Sequence, residues 1–439
     1  MAKYYFIGIG GISMSALAIF LKCQGNEVCG SDLTENETLL ELKNYSIPFY
    51  IGHKKENIEN FCPDFVVINS AISQNNEELI YAKKNKIKIL SRAKVLGDIS
   101  KKFKNVIAIS GTHGKTTTVG MISEIFIDAN LKPTVHIGGI LAKTNSNYII
   151  GENKFFITEA CEYKNNFLTL RPKLGIMLNL EKDHMDFFKN YKDLENSFDK
   201  FLSHSKIKIY PKNLKSEFHY IFQSNSNFIE FYADNIIQIK DGIKFKYFED
   251  KKFIDEFTLK TLGKHNVNNA IVAIMTARHF KIKLTNIKRA LRNYSGVKRR
   301  FEKIGYAFST PIIHDYAHHP TEIKKVISQA KTYGKVLTIF QPHTFSRTKK
   351  LFKDFLNCFD NSDALFLYKT YPAREEENQG YSARKLFESL KKNDKFELIN
   401  YFENEDELLK ETKKVCSSYN IILVLGAGNI DLIAKNLAK

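Results

Sequence analysis

Short apolar runs alternate along this chain with stretches in which apolar residues recur at helical spacing. Residues 4–9 form the first such run, 12–24 the first helical stretch, and further strands are predicted near Val28, at 65–68 and at 87–90. Strand and helix in alternation imply a parallel sheet. A polar, lysine-rich stretch at 97–105 reads as a linker and sets a first boundary, giving a domain over 1–100. The second segment, 101–296, opens on an apolar run at 106–109 and predicts strands near 155–158 and 174–178. A helix around 194–202, β-like runs between 228 and 257 and a long helix at 265–280 complete it. A third unit, 297–439, follows Ser295-Gly296, with strands near Ile312 and at 336–340, 364–367 and 421–425; Gly426-Ala427-Gly428-Asn429-Ile430 then leads into a last helix.

The strand at 106–109 runs into Gly111-Thr112-His113-Gly114-Lys115-Thr116-Thr117-Thr118 and then a helical pattern. Glycines let backbone N–H groups approach an anion, the helix turns its positive end to the same place, Lys115 adds a cation, and the Thr116 hydroxyl suits Mg²⁺. The loop is a shortened P-loop, since the usual spacing asks for glycine where this chain has Ile109. Its expected ligand is a nucleoside triphosphate. The first βα turn, Gly8-Ile9-Gly10-Gly11-Ile12-Ser13-Met14-Ser15, with Asp32 after the next strand, suggests a pyrophosphate-containing ligand. With Ser13 in place of a third glycine a dinucleotide is disfavoured, and a turn serving only strand-to-helix geometry is the alternative. The fold class expected is therefore α/β in three domains: N-terminal Rossmann-like, central P-loop ATPase α/β with extra β-strands, and C-terminal Rossmann-like.

Two acidic segments close apolar strands in the second domain. Glu159 ends one of them, where a carboxylate is well placed to hold Mg²⁺ on a triphosphate; Glu162 either supports that ligand or is solvated. In the second, Asn179-Leu180-Glu181-Lys182-Asp183-His184-Met185-Asp186, His184 is a candidate to coordinate a second cation or orient a phosphate oxygen.

Composition narrows the picture only a little. The 439 residues, 43% hydrophobic and 13% aromatic, suffice for several real cores. No run approaches the ~18–20 apolar residues of a membrane span, and the early first strand leaves no room for a signal peptide, so a cytoplasmic protein without membrane insertion is expected. The net charge of +18 is spread over the whole length without a nucleic-acid-binding module, so no nucleic-acid partner is expected. Six scattered cysteines suggest neither a zinc site nor a disulfide framework.

Taken together, the P-loop, the Glu159 segment, Asp183-His184-Met185-Asp186, Gly263-Lys264-His265-Asn266-Val267-Asn268-Asn269-Ala270 and Gly296-Val297-Lys298-Arg299-Arg300-Phe301-Glu302 resemble the ordered signatures of the Mur ligase family. Within it, the opening turn, the run from His314 to Ile323 and Phe340-Gln341-Pro342-His343 are similar to the branch that joins L-alanine to UDP-N-acetylmuramate. The resemblance implies ATP and Mg²⁺, transfer of the γ-phosphoryl to a carboxylate, and attack of an amine on the acyl phosphate. Negative charge accumulates along that route, so cations must gather around it.

It also implies roles. ATP would be held by Gly111, Thr112, His113, Gly114, Lys115, Thr116 and Thr117, with His265 and Asn269 as adenine contacts and Arg300, rather than Arg299, at the γ-phosphate. Mg²⁺ would lie on Thr116, Glu159 and His184. The UDP-sugar would meet Gly10, Gly11, Ile12, Ser13, Met14, Ser15 and Asp32; the amino acid would meet Tyr316, His318 and Arg347, with Asp315 beside them. The residues expected to act in catalysis are Lys115, His184, Arg300, His318 and Arg347. His319, next to Pro320, carries less weight as a helix start. Two departures stand out: Thr344 occupies a position where many members carry arginine, and Lys200 sits one place away from where other members carry a modified lysine. A monomer or weak homodimer is expected. The rival readings are a ligase attaching a preformed peptide to the same sugar nucleotide, and a nucleotide-dependent switch protein without ligation.

Overall fold

The computed structural model describes residues 1–182, 185, 187–214, 217–239, 242–261, 263–373, 375–376, 379–392 and 395–439. Its packing divides into two compact units, Met1–Val297 and Lys298–Lys439.

The first unit holds two sheets. One has five parallel strands in the order Phe49–Ile51, Glu27–Asp32, Lys3–Ile7, Phe65–Ile68, Lys88–Ser91. The other has ten strands. At its centre the P-loop strand, Asn105–Ser110, lies between Leu174–Met177 and Phe155–Glu159, parallel to both. All six residues of that strand are buried, as a strand covered on both faces must be. Beyond Ile207–Pro211 the sheet turns antiparallel through His219–Ser224, Asn227–Ile239, Gly242–Glu249 and Lys252–Leu259. There, apolar and polar positions alternate because one face meets solvent.

The two sheets share one hydrophobic cluster. Leu17 and Phe20 of the helix Ile12–Cys23 join Tyr148, Phe156 and Phe167 of the second sheet's domain in it. The linker expected at 97–105 is accordingly corrected. Residues 97–100 finish a helix, Arg92–Ser100, and Asn105 already begins the P-loop strand. Gly97 is there for closeness rather than flexibility, since a Cβ would stand 2.7 Å from the Thr169 carbonyl oxygen.

The second unit is a six-stranded sheet in the order Glu302–Ala307, Thr310–Asp315, Ile421–Leu425, Val336–Phe340, Ala364–Tyr368, Leu398–Phe402. All neighbours are parallel except the first pair. The α/β class with three sheets is thus as expected from the sequence. Among the described residues no helix is long and apolar enough to cross a membrane.

Candidate active site

The P-loop follows from its strand and its glycines. Gly111 and Gly114 take φ of +132° and +83°, values that favour glycine, and Gly114 caps the helix Lys115–Asp128 without any side-chain bond to its first N–H groups. That leaves the helix's positive end available to an anion. The loop is fastened from across the sheet by Asn179, which follows the neighbouring strand. Its Oδ1 accepts from His113 N at 2.9 Å, and its Nδ2 donates to His113 O at 3.1 Å. Glu181 N donates to Thr112 Oγ1 at 2.9 Å, so the acidic segment and the P-loop are stitched together.

Lys115 is held inside its own loop. Its Nζ donates to the carbonyls of Gly111 and Thr112 and pairs with Glu162 Oε1 at 3.0 Å. Glu162 is buried, which removes the solvated reading of that residue and makes it the lysine's counter-ion. Burial works against the charge on Lys115, but Glu162, Cys161 and Glu159 outweigh it and raise the ammonium's pKa.

Asn269 is buried below the loop. Its Oδ1 accepts from Thr118 Oγ1 at 3.1 Å, its Nδ2 donates to Asn266 Oδ1 at 3.0 Å, and a Cβ on Gly114 would stand 2.5 Å from that Oδ1. His265, one turn earlier, is exposed. The two residues expected to act together therefore differ: Asn269 supports the P-loop turn, and His265 lies at the surface.

Glu159 ends its strand directly beside the P-loop strand, in register with Ile109. Its Oε1 accepts from Gly138 N at 2.7 Å, and Thr116, buried at the first turn of the P-loop helix, lies against the adjacent Gly139. A Cβ on either glycine would come within about 3.0 Å of one of these side chains, so the backbone of 138–139 runs close between them. A hydroxyl and a carboxylate are hard oxygen donors of the kind Mg²⁺ takes alongside triphosphate oxygens, and so they fit that ion. Among the described residues no three His, Cys, Asp or Glu gather into a metal cluster. His184, expected as a ligand, lies outside the described residues.

In the first domain, Asp32 organises the glycine turn. Its Oδ2 accepts from Gly10 N and its Oδ1 from Leu33 N, both at 2.8 Å. Ser13 Oγ sits 2.8 Å from Nε2 of the buried His136 and accepts from Arg92 Nη1 at 3.0 Å. Burial and Arg92 depress the His136 pKa to about 3, which keeps that ring neutral. Gly11, Ile12 and Ser13 retain exposure, whereas Met14 is core and Ser15 turns its hydroxyl to the Ile12 carbonyl. Within the run 10–15 expected to meet the sugar nucleotide, the side chains of Met14 and Ser15 are buried and shape the turn from behind.

The Lys298–Lys439 unit resolves the two adjacent arginines. Arg299 is tied to Asp431 and to the Gly428 carbonyl, while Arg300 is exposed; both guanidinium groups lie over the Tyr316 ring, at 5.9 and 5.7 Å from its centroid. Asp315 accepts from Phe301 N at 2.7 Å and from Ala317 N at 2.8 Å, so it secures the segment that carries both arginines. Burial raises its pKa to about 6 against the pull of Arg300. His318 Nδ1 lies 3.0 Å from the Tyr316 carbonyl oxygen, its ring 6.0 Å from that of His343. Arg347 donates to His343 Nδ1 at 3.0 Å, and His343 stacks on Tyr371. Thr344 caps the short helix that presents Arg347, and His319 caps the helix Pro320–Lys331 in a capping box with Glu322. Lys200 is exposed on the helix Tyr191–Ser203.

Sequence reasoning assigned no role to Asn179, Arg92, His136 or His343. Asn179 and His343 each lie within three residues of the end of an apolar strand, a position that could have drawn notice; nothing local marks Arg92 or His136.

Three family models match along the chain. They are the Mur ligase family catalytic domain over residues 3–104, the Mur ligase middle domain over 109–277, and the Mur ligase glutamate ligase domain over 299–428. The chain belongs to the Mur ligase family. It is 39% identical to the UDP-N-acetylmuramate–L-alanine ligase of Clostridium acetobutylicum, over 99% of this chain and 96% of that one. It is 40% identical to the ligase of the same name from Caldicellulosiruptor bescii, over 99% of both. Among solved structures it resembles the UDP-N-acetylmuramate-alanine ligase of Thermotoga maritima, with TM-score 0.83, 27% identity and coverage of 100% and 98%. A murein peptide ligase from Psychrobacter arcticus shares the fold at TM-score 0.64 and 22% identity, covering 100% and 98%.

Proposed function

We propose that this chain is an ATP-dependent amide ligase that adds L-alanine to UDP-N-acetylmuramate through an acyl phosphate, releasing ADP and phosphate, in the cytoplasmic making of peptidoglycan precursors. The observation that carries the reading is the full-length likeness to relatives named for that reaction, in a chain that keeps a charged lysine inside a glycine-built phosphate cradle.

In this reading the domains are 1–100 for the UDP-sugar, 101–296 for ATP and 297–439 for the amino acid. The backbone of Gly111–Thr117 and the Lys115 ammonium receive the triphosphate, and Lys115 exchanges its loop carbonyls for phosphoryl oxygens. Thr116, Glu159 and His184 would hold Mg²⁺, which when bound neutralises charge on the transferring phosphoryl group. In this reading His265 and Asn269 would meet the nucleotide base. Gly10, Gly11, Ile12 and Ser13, backed by Asp32, receive the diphosphate of the sugar nucleotide. Arg300 contributes a cation for the γ-phosphoryl, and Tyr316, His318 and Arg347 receive the amino acid.

The test is phosphate release from ATP with UDP-N-acetylmuramate and L-alanine, each omitted in turn. Release that needs both supports the reading. Release independent of both would make the chain a nucleotide switch, and release with a tripeptide but not with alanine would make it a peptide ligase.

A further inference from the structure

Two imidazoles of the Lys298–Lys439 unit are locked in opposite tautomers. His318 Nδ1 stands 3.0 Å from the Tyr316 carbonyl oxygen, which can only accept, so Nδ1 carries the proton and Nε2 is left with its lone pair. His343 Nδ1 stands 3.0 Å from Arg347 Nη1, which can only donate, so here Nδ1 accepts and Nε2 carries the proton. The rings are 6.0 Å apart, and both lie beside Arg347. One ring thus offers a base and the other a donor, next to a cation suited to a carboxylate.

We propose that His318 Nε2 is the general base that takes the proton from the incoming amino acid's ammonium, while His343 Nε2–H and Arg347 hold its carboxylate. This rests on the ligase reading above. The ammonium gives one proton to His318, and the freed nitrogen lone pair attacks the acyl-phosphate carbon, forming the C–N bond. Collapse of the tetrahedral intermediate breaks the carbon–oxygen bond to phosphate. The phosphate leaves with that electron pair and takes the nitrogen's second proton. Around His318 stand Glu322 on the following helix, 3.8 Å away, together with Arg300, Tyr316, His343 and Arg347. Burial and the two arginines lower its pKa against the pull of Glu322, so the ring is a neutral base at pH 7.

The experiment compares two nucleophiles on the full-length enzyme with UDP-N-acetylmuramate and ATP. L-Alanine reaches the site as an ammonium ion and needs a base, whereas hydroxylamine is largely unprotonated at pH 7.5 and does not. His318→Asn should lower kcat with alanine about 10²–10⁴-fold and move the acid limb of its pH profile upward, toward the titration of alanine's own ammonium group, yet still form hydroxamate at a rate close to the unmodified enzyme's. His343→Gln should raise KM for alanine more than it lowers kcat. Equal losses of amide and hydroxamate in the Asn variant, or an unchanged acid limb, would overturn the base assignment. If the unmodified enzyme forms neither amide nor hydroxamate, the ligase reading itself fails.

Discussion

Removing the P-loop lysine should destabilise the protein in a way that a second substitution repairs without restoring chemistry. The Glu162 side chain is 2% exposed, and its carboxylate lies 3.0 Å from the Lys115 ammonium. Lys115→Ala strips a buried carboxylate of that cation and takes a donor from the Gly111 and Thr112 carbonyls. Breaking a buried ion pair from one side costs about 3–5 kcal/mol. Lys115→Ala/Glu162→Gln puts a neutral amide in the same space and should recover most of the loss. Urea unfolding measures these stabilities, and phosphate release measures activity. Both variants should be inactive while the double variant still binds UDP-N-acetylmuramate, whose proposed turn lies in a different domain. A double variant no more stable than Lys115→Ala would refute the reasoning.

Three further outcomes follow from the geometry. Gly114→Ala forces a Cβ toward Asn269 Oδ1 at φ +83°, and should cost about 1–3 kcal/mol and weaken ATP binding, read by nucleotide titration. Arg300→Ala should lower kcat about 10²–10³-fold in steady-state assays; Arg299→Ala, which breaks the pair with Asp431, should instead lower stability by about 1–3 kcal/mol. Glu124 is buried in the P-loop helix near the Ser295 hydroxyl, and burial lifts its pKa from 4.5 to about 7. A raised folded-state pKa means stability that is full below pH 4.5 and lost as pH rises through 7, so Glu124→Gln should flatten that decline in unfolding curves measured across the range.

How far each feature could be read without coordinates depended on the span over which its cause acts. The strand at Asn105–Ser110, the turn at Gly111 and Gly114 and the helix at Lys115 lie within some twenty consecutive residues, and each is dictated by its neighbours: apolar run, positive φ, register of the lysine. The acid at the end of a strand, Glu159, was legible for the same reason. Glu162, three residues on, could be read in two ways, because only the fold brings it to a lysine 47 positions earlier. The stretch at 97–105 has the composition of a linker, yet its first residues are helical because a partner surface near Thr169 covers them.

The sequence by itself determined the order of the elements, the phosphate cradle and the motifs that mark the family, since these follow from covalent geometry and from periods of two and 3.6 residues. Tertiary structure alone decided which of two adjacent arginines is committed, because Asp431, which takes Arg299, is supplied by the last helix of the chain. It decided likewise that Asn179 fastens the P-loop and that His318 and His343 hold opposite tautomers. Hydrogen bonds choose their partners by position in space, and position in space is set by packing between elements far apart in the chain.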